Sequence, residues 1–449
     1  MDQLSSHKAT AFLALACLLA FIYQIALNPA CVLVPNPEAL LAAGANFGPY
    51  TIGEAQYWRL LSGVFLHCGL IHIGLNMTVL ISFGPKIEDL LGKWRYLFIF
   101  FYSAVIGNLL SILVNPLNTS VGASGGLMGL IAALMTASWF KRGDNSSRLT
   151  RPQLIFLAAS LAYSFVLGLT SEVIDNACHL GGFLAGALAG LILTNRASGR
   201  IKLIDSPPAR SIALLALVPV LFTFTAANIE SNIKVKAYLE QQQGIKLLKE
   251  KKYLHGLDHL NAALALTPEN PSMLQDRARA LIELGQIDHA LKDLENVIAQ
   301  KSKDYVPLMT RASAYHKLGK EDLAVADMSA AIKLKPTDAM LYNNRAWFEL
   351  AQGKIDEALC DCDKALSLKR DIATIYDTRG MAYFLKGDNV SAGKDFNTAL
   401  EQNSKDGAYY YHRALVRLAQ KDAGTDEDLK HYREFEYKPE AWEPRAKSQ

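Results

Sequence analysis

The chain has 449 residues, of which 51% are hydrophobic and 20% charged, and a net charge of +3. It is too long for one ordinary domain and too apolar for a soluble protein, so two unlike parts are expected; the small net charge gives no footprint for nucleic acid. Six cysteines, Cys17, Cys31, Cys68, Cys178, Cys360 and Cys362, are few and scattered, which sets up neither a disulfide framework nor a zinc site.

Apolar runs follow in chain order at 10–28, 66–83, 95–114, 122–140, 152–169, 177–195 and 211–228. Each is close to the roughly 20 helical residues that cross a bilayer, so seven transmembrane helices are predicted. The first is preceded by Lys8, as a secretory signal would be, but it is long and "NPAC" at 28–31 is a poor cleavage site, so it reads as a retained anchor. Lys and Arg gather in alternate loops: Lys86, Lys93 and Arg95; Lys141, Arg142, Arg148 and Arg151; Arg196, Arg200, Lys202 and Arg210. These loops read as cytoplasmic. Loops 29–65, 115–121 and 170–176 then face outward, the N-terminus is cytoplasmic, and everything after about residue 229 lies outside the cytoplasm.

Beyond that point the chain turns charged, helical and periodic. Arg277, Arg311, Arg345, Arg379 and Arg413 recur every 34 residues, as do Gly285, Gly319, Gly353 and Gly387, Ala290, Ala324, Ala358 and Ala392, and Asp293, Asp327, Asp361 and Asp395. With Pro268 and Pro336 near unit ends, this period resembles the tetratricopeptide repeat, an α-solenoid whose concave face binds peptides or proteins. Two roles are open for the repeating Arg and Asp: joining neighbouring units, or holding a ligand. Cys360 and Cys362 are two apart on a repeat helix and face different ways.

Chemistry is sought in the membrane part, where polar residues are expensive and therefore informative. Three clusters stand out: "FLHCGLIHIGLNM" at 65–77, "GASGGLMG" at 122–129 and "DNACHLGGFLAGALAG" at 175–190. His72 and Asn76 fall one turn apart on one helical face. His179 leads a stripe of Gly182, Gly186 and Gly190, and Gly125 and Gly129 offer a matching stripe after Ser124. Packing of these two stripes would bring Ser124 and His179 together as nucleophile and base, with His72, Asn76 and the Ser124 backbone N–H as donors to an oxyanion. His67, at the start of the second apolar run, reads as structural or gating. A metal site from His67, Cys68, His72, Cys178 and His179 lacks a recognised ligand spacing, so neither metal nor cofactor is expected.

The motifs together resemble the rhomboid family of intramembrane serine proteases: Gly122-Ala123-Ser124-Gly125, His179 with Gly182 and Gly186, His72 with Asn76, Trp58-Arg59 before the second helix, and Glu88, Gly92 and Arg95 after it. The resemblance covers most of residues 10–195. It implies a Ser124–His179 dyad without an aspartate, six core helices, and hydrolysis of peptide bonds in single-span membrane proteins. Two departures stand near the site: Met128 where an aromatic often packs on the catalytic histidine, and Cys178 where alanine is usual. Methionine fills that space but orients an imidazole less firmly than a ring.

The expected organisation is all-α: a rhomboid core of six transmembrane helices over 1–200, a seventh helix with linkers over 201–235, tetratricopeptide repeats over 236–436 and a tail over 437–449. The expected partners are single-span membrane substrates, lipid, and a protein or peptide ligand of the repeats, in a bacterial plasma membrane. The alternative reading is a catalytically silent adaptor or chaperone for membrane proteins, which loss of Ser124 or His179 would have favoured, and both are present; a transporter or channel would place charges within several helices, and none is evident.

Overall fold

The computed structural model describes residues 6–33, 36–140, 175–194, 207–300 and 303–445. Among these the chain is helical apart from its connections and one isolated bridge between Asn46 and Ser120, in agreement with the all-α expectation. It divides into two compact units at Leu239/Glu240.

The first unit holds α1 (Lys8–Leu27), α2 (Leu70–Leu91), α3 (Lys93–Val114), α4 (Ser124–Phe140), α5 (Asn176–Thr194), α6 (Pro207–Leu215) and α7 (Leu217–Ser231). Helices α1, α2, α3, α5 and the continuous Arg210–Ser231 stretch are long and apolar enough to cross a bilayer; the described part of α4 is apolar but shorter. The expected helix at 152–169 lies outside the described residues. α2 starts at Leu70, later than its apolar run, because the residues before it make a turn: Gly69 takes φ +91°, and the side-chain amide of Gln24 donates to the His67 carbonyl while its oxygen accepts the His67 N–H, both at 2.9 Å. That reciprocal pair satisfies backbone groups that a membrane interior leaves no water to serve.

Glycines decide how closely α3, α4 and α5 approach. A Cβ on Gly182 would run into the backbone of Gly125, one on Gly186 into the backbone of Gly129, and one on Gly107 of α3 into the Cys178 carbonyl. The stripes read from the sequence are therefore in backbone-to-backbone contact, as small-residue membrane interfaces allow. Other sequence motifs serve as ties. Glu88 accepts from the Ala9 and Thr10 N–H groups at 3.1 and 2.9 Å, filling the role of a cap at the start of α1. Arg59 donates to the carbonyls of Leu41 and Ala45 at 2.7 and 3.1 Å and lies over Trp58, which pins the loop between α1 and α2.

The second unit is built of antiparallel helix pairs: α10 (Pro271–Glu283) with α11 (Ile287–Ala299), α12 (Val306–Lys317) with α13 (Glu321–Leu334), α14 (Ala339–Ala351) with α15 (Ile355–Leu368), α16 (Ala373–Lys386) with α17 (Asn389–Gln402), and α18 (Gly407–Gln420) with α19 (Thr425–Glu434). They are preceded by α8 (Ile233–Lys249), which begins in the first unit, and α9 (Tyr253–Leu266). Between the helices of four pairs sit Gly285, Gly319, Gly353 and Gly387, with φ from 67° to 88°, a left-handed turn that a side chain would strain. Ala290, Ala324, Ala358 and Ala392 are fully buried where the helices meet.

The periodic Arg and Asp turn out to be tied to each other. Arg277, Arg311, Arg345 and Arg379 each make a two-pronged bond to Asp293, Asp327, Asp361 and Asp395 of the same pair, at 2.6–2.9 Å. Arg413 does the same with Asp428. A further N–H of Arg277, Arg345, Arg379 and Arg413 reaches Asn261, Ser329, Asp363 and Asn397 on the preceding pair. Of the two roles open for these residues, the bonds support construction: the Arg–Asp pairs join the helices within a unit, and the further Arg N–H groups join neighbouring units.

Candidate active site

Ser124 is placed by the strand-like segment before it. Asn46 and Ser120 exchange backbone hydrogen bonds at 3.1 and 2.8 Å, and the Gly122 N–H donates to the Gly63 carbonyl at 2.9 Å. Gly122 then takes φ +120°, which suits a residue without Cβ, and the chain enters α4 at Ser124. His179 lies one turn into α5. Its backbone N–H donates to the Asp175 carbonyl at 3.0 Å, while the Asp175 carboxylate accepts from the Cys178 N–H at 2.9 Å and from the Ser111 hydroxyl of α3. Asp175 caps α5 and so fixes the end from which His179 projects.

The glycine contact between α4 and α5 closes the gap: Ser124 Oγ and His179 Nε2 are 2.7 Å apart. This is the distance at which an imidazole takes the proton of an attacking hydroxyl. His179 Nδ1 is buried without a hydrogen-bond partner among the described residues; the Asp175 carboxylate is engaged elsewhere.

His72 faces the same point from α2. The Cys68 N–H donates to His72 Nδ1 at 3.2 Å, which in a neutral ring leaves the proton on Nε2. A Cβ on Gly122 would stand 3.0 Å from His72 Nε2 and 3.7 Å from Ser124 Oγ. Because glycine has no such atom, a small space stays open between the hydroxyl and a ring donor. Asn76, one turn further along α2, is buried and donates to the His72 carbonyl at 3.1 Å. Met128 follows Ser124 by one turn and is half-buried; Cys178 is buried, with its sulfur against Gly107 and Gly125. His67 is fully buried in the turn before α2, its Nδ1 bonded to the Phe65 carbonyl and its ring 5.2 Å from that of His72.

Several supporting residues were not singled out by sequence. Asn46 donates to the Asn108 carbonyl at 3.1 Å and Asn108 donates to the Leu60 carbonyl at 2.8 Å, so the loop between α1 and α2 is fastened to α3. The signal was there: Asn108 and Ser111 interrupt an apolar span, where polar side chains need a partner. Among the described residues no group of His, Cys, Asp or Glu is arranged to hold a metal ion.

Residues 54–196 match the family model for the rhomboid domain, and residues 307–338 match one for the tetratricopeptide repeat. The rhomboid-like protease 3 of Toxoplasma gondii is 36% identical over 155 residues, 34% of this chain and 57% of that protein. The rhomboid protease GluP of Bacillus subtilis is 27% identical over 284 residues, 63% of this chain and 52% of that protein. The rhomboid-like protease 1 of Toxoplasma gondii is 30% identical over 203 residues, 44% of this chain and 68% of that protein. The chain spans a little over half the length of the first two relatives. A crystal structure of a thermophilic tetratricopeptide repeat protein from Thermus thermophilus aligns with 40% of this chain and 99% of its own, at 24% identity and a TM-score of 0.37.

Proposed function

The chain belongs to the rhomboid family and carries tetratricopeptide repeats, and from that premise we propose that it is an intramembrane serine endopeptidase acting through a Ser124–His179 dyad. The observation that carries the reading is the 2.7 Å separation of Ser124 Oγ and His179 Nε2. A substrate helix enters from the bilayer and its unwound end presents a carbonyl carbon to Ser124 Oγ. As the new C–O bond forms, His179 Nε2 takes the hydroxyl proton; the tetrahedral oxyanion is met by the His72 Nε2–H, the Asn76 amide and the Ser124 backbone N–H. The intermediate collapses, the C–N bond breaks, and His179 returns the proton to the leaving amine. Water then attacks the acyl-enzyme with His179 again as base, releasing the new carboxylate and restoring Ser124.

We place the enzyme in a bacterial plasma membrane with a cytoplasmic N-terminus. The repeats lie outside the cytoplasm and recruit substrates or partners. The alternation of Lys and Arg between loops supports that orientation. The test is cleavage of a single-span reporter in liposomes by the native chain and by Ser124→Ala and His179→Ala. Cleavage confined to the native chain is expected. Equal cleavage by Ser124→Ala would overturn the assignment of the nucleophile.

A further inference from the structure

The segment after the last repeat helix does not trail away. Glu440 accepts from His316 Nε2 at 2.7 Å, from the Trp442 indole N–H at 2.7 Å and from that of Trp347 at 3.4 Å. Glu443 accepts from His412 Nε2 at 3.1 Å and from the Tyr437 hydroxyl at 2.8 Å. The Trp442 and Trp347 rings meet edge to face at 4.7 Å. His316, Trp347 and His412 stand on the first helices of three different pairs, α12, α14 and α18, which line the inner face of a tetratricopeptide superhelix.

A simple end cap would cover the unit next to it. This segment instead reaches back 124 residues to His316. Its bonds are those of a ligand: each carboxylate meets a histidine that is held on its other side by a carboxylate of the repeats, Glu321 for His316 and Asp377 for His412. Nor does it fill the face. A cavity of about 1010 Å³ remains beside it, walled by repeat residues and by Tyr437 and Trp442. Asn343 on that wall is buried, with a side-chain oxygen that lacks a partner among the described residues.

We propose that the inner face of the repeats is a recognition groove for a protein segment in which two glutamates flank a tryptophan in a turn, as Glu440 to Glu443 do here, and that residues 437–445 are its resident occupant, which a partner of that chemistry displaces. The inference rests on reading the repeats as a recruitment surface and names what they recruit. Protonated His316 and His412 supply the charge that two carboxylates need in a groove also lined by Asp377 and Glu321. Burial lowers the affinity of both rings for the proton, but the carboxylates on either side outweigh it and hold both above the ordinary histidine value, His412 at about 9.

The test is the full chain in detergent with a fluorescein-labelled peptide of residues 436–445, followed by anisotropy. The native chain, its groove occupied, binds weakly; a chain carrying Trp442→Ala and Glu443→Gln binds at least tenfold more tightly. Adding His316→Ala returns binding to the native level, and a peptide with the residues at 440 and 443 changed from glutamate to glutamine does not bind. Glu440→Gln, which keeps the shape of the segment, serves as a second variant and shifts binding the same way. Equal binding by native and variant chains, no binding by either variant, or indifference to His316→Ala would each overturn the proposal. A native dimer that becomes a monomer in the variants would place the segment in a second copy and overturn its role as resident occupant. Because the readout is binding, loss of this result with Ser124-dependent cleavage intact refutes the groove alone, and the reverse refutes the protease reading alone.

Discussion

Gly182→Ala tests whether backbone contact between α4 and α5 sets the catalytic distance. The added Cβ would lie 2.8 Å from the Gly125 carbonyl carbon and 3.0 Å from its Cα, closer still to its oxygen, where ordinary contact begins at 3.4 Å. No flexible side chain can swing aside, so the helices must part by roughly 1 Å or more to clear the Gly125 oxygen, at a cost of about 1–3 kcal/mol for such overpacking. Ser124 and His179 sit on the two helices that part and are 2.7 Å apart. Their separation passes the upper limit of about 3.2 Å for direct proton transfer, and misplacement of about 1 Å lowers the rate around 10²-fold. Gly74→Ala on α2 is the control, since nothing lies within 4 Å of its Cβ position. Reporter cleavage in liposomes and thermal melting in detergent are measured for both. Activity of Gly182→Ala within threefold of Gly74→Ala would refute the claim that this contact sets the distance.

Gly122→Ala should abolish cleavage with Ser124 and His179 both intact, because its methyl group occupies the space between His72 Nε2 and Ser124 Oγ and strains a φ of +120°; an active-site fluorophosphonate label should fail on it as well. His72→Ala should lower kcat by about 10²–10³ with little change in KM, as loss of one oxyanion donor does, and a rise in KM with kcat unchanged would instead mark ground-state binding. His412 is fully buried between Asp377 and Glu443 and has its proton affinity raised to about 9 against an ordinary 6.5. A raised value stabilises the folded state fully below about pH 6.5, and this contribution, about 3 kcal/mol, is lost as pH rises to about 9. The tryptophan-monitored melting temperature of the repeats should therefore fall across that window more steeply in the native chain than in His412→Phe, and parallel slopes would count against it. Arg345→Ala leaves Asp361 buried without its partner and should cost about 3 kcal/mol, read from urea unfolding of the repeats; a loss under 1 kcal/mol would show the pair to be dispensable.

The sequence carried most of the architecture because its signals were periodic. Apolar runs of bilayer length and a step of 34 residues each repeat often enough to be seen without a structure. The glycine stripes were legible for the same reason: spacing of four puts them on one face, and two such faces imply a contact. What stayed hidden depended on single, nonlocal pairings. Asp175 was visible only as an outward charge, yet it caps α5 and accepts from Ser111 on α3. The Gln24–His67 pair joins residues 43 apart with no pattern to announce it, and it moved the start of α2 past His67. The role of residues 437–445 was invisible because their partners lie on helices far upstream, and only folding brings His316 and His412 to one surface.

The guanidinium bonds of the repeats carry a mechanical consequence. Arg277, Arg345, Arg379 and Arg413 each hold the partner helix of their own unit and the last helix of the unit before. An interior unit therefore cannot let go of its second helix without loosening a neighbour, and nearest-neighbour bonding of this kind makes melting travel as a front from an end. Under a pulling force the units from α12 onward, which residues 437–445 also tie together through His316, Trp347 and His412, would yield together, after the less tightly joined pairs before them.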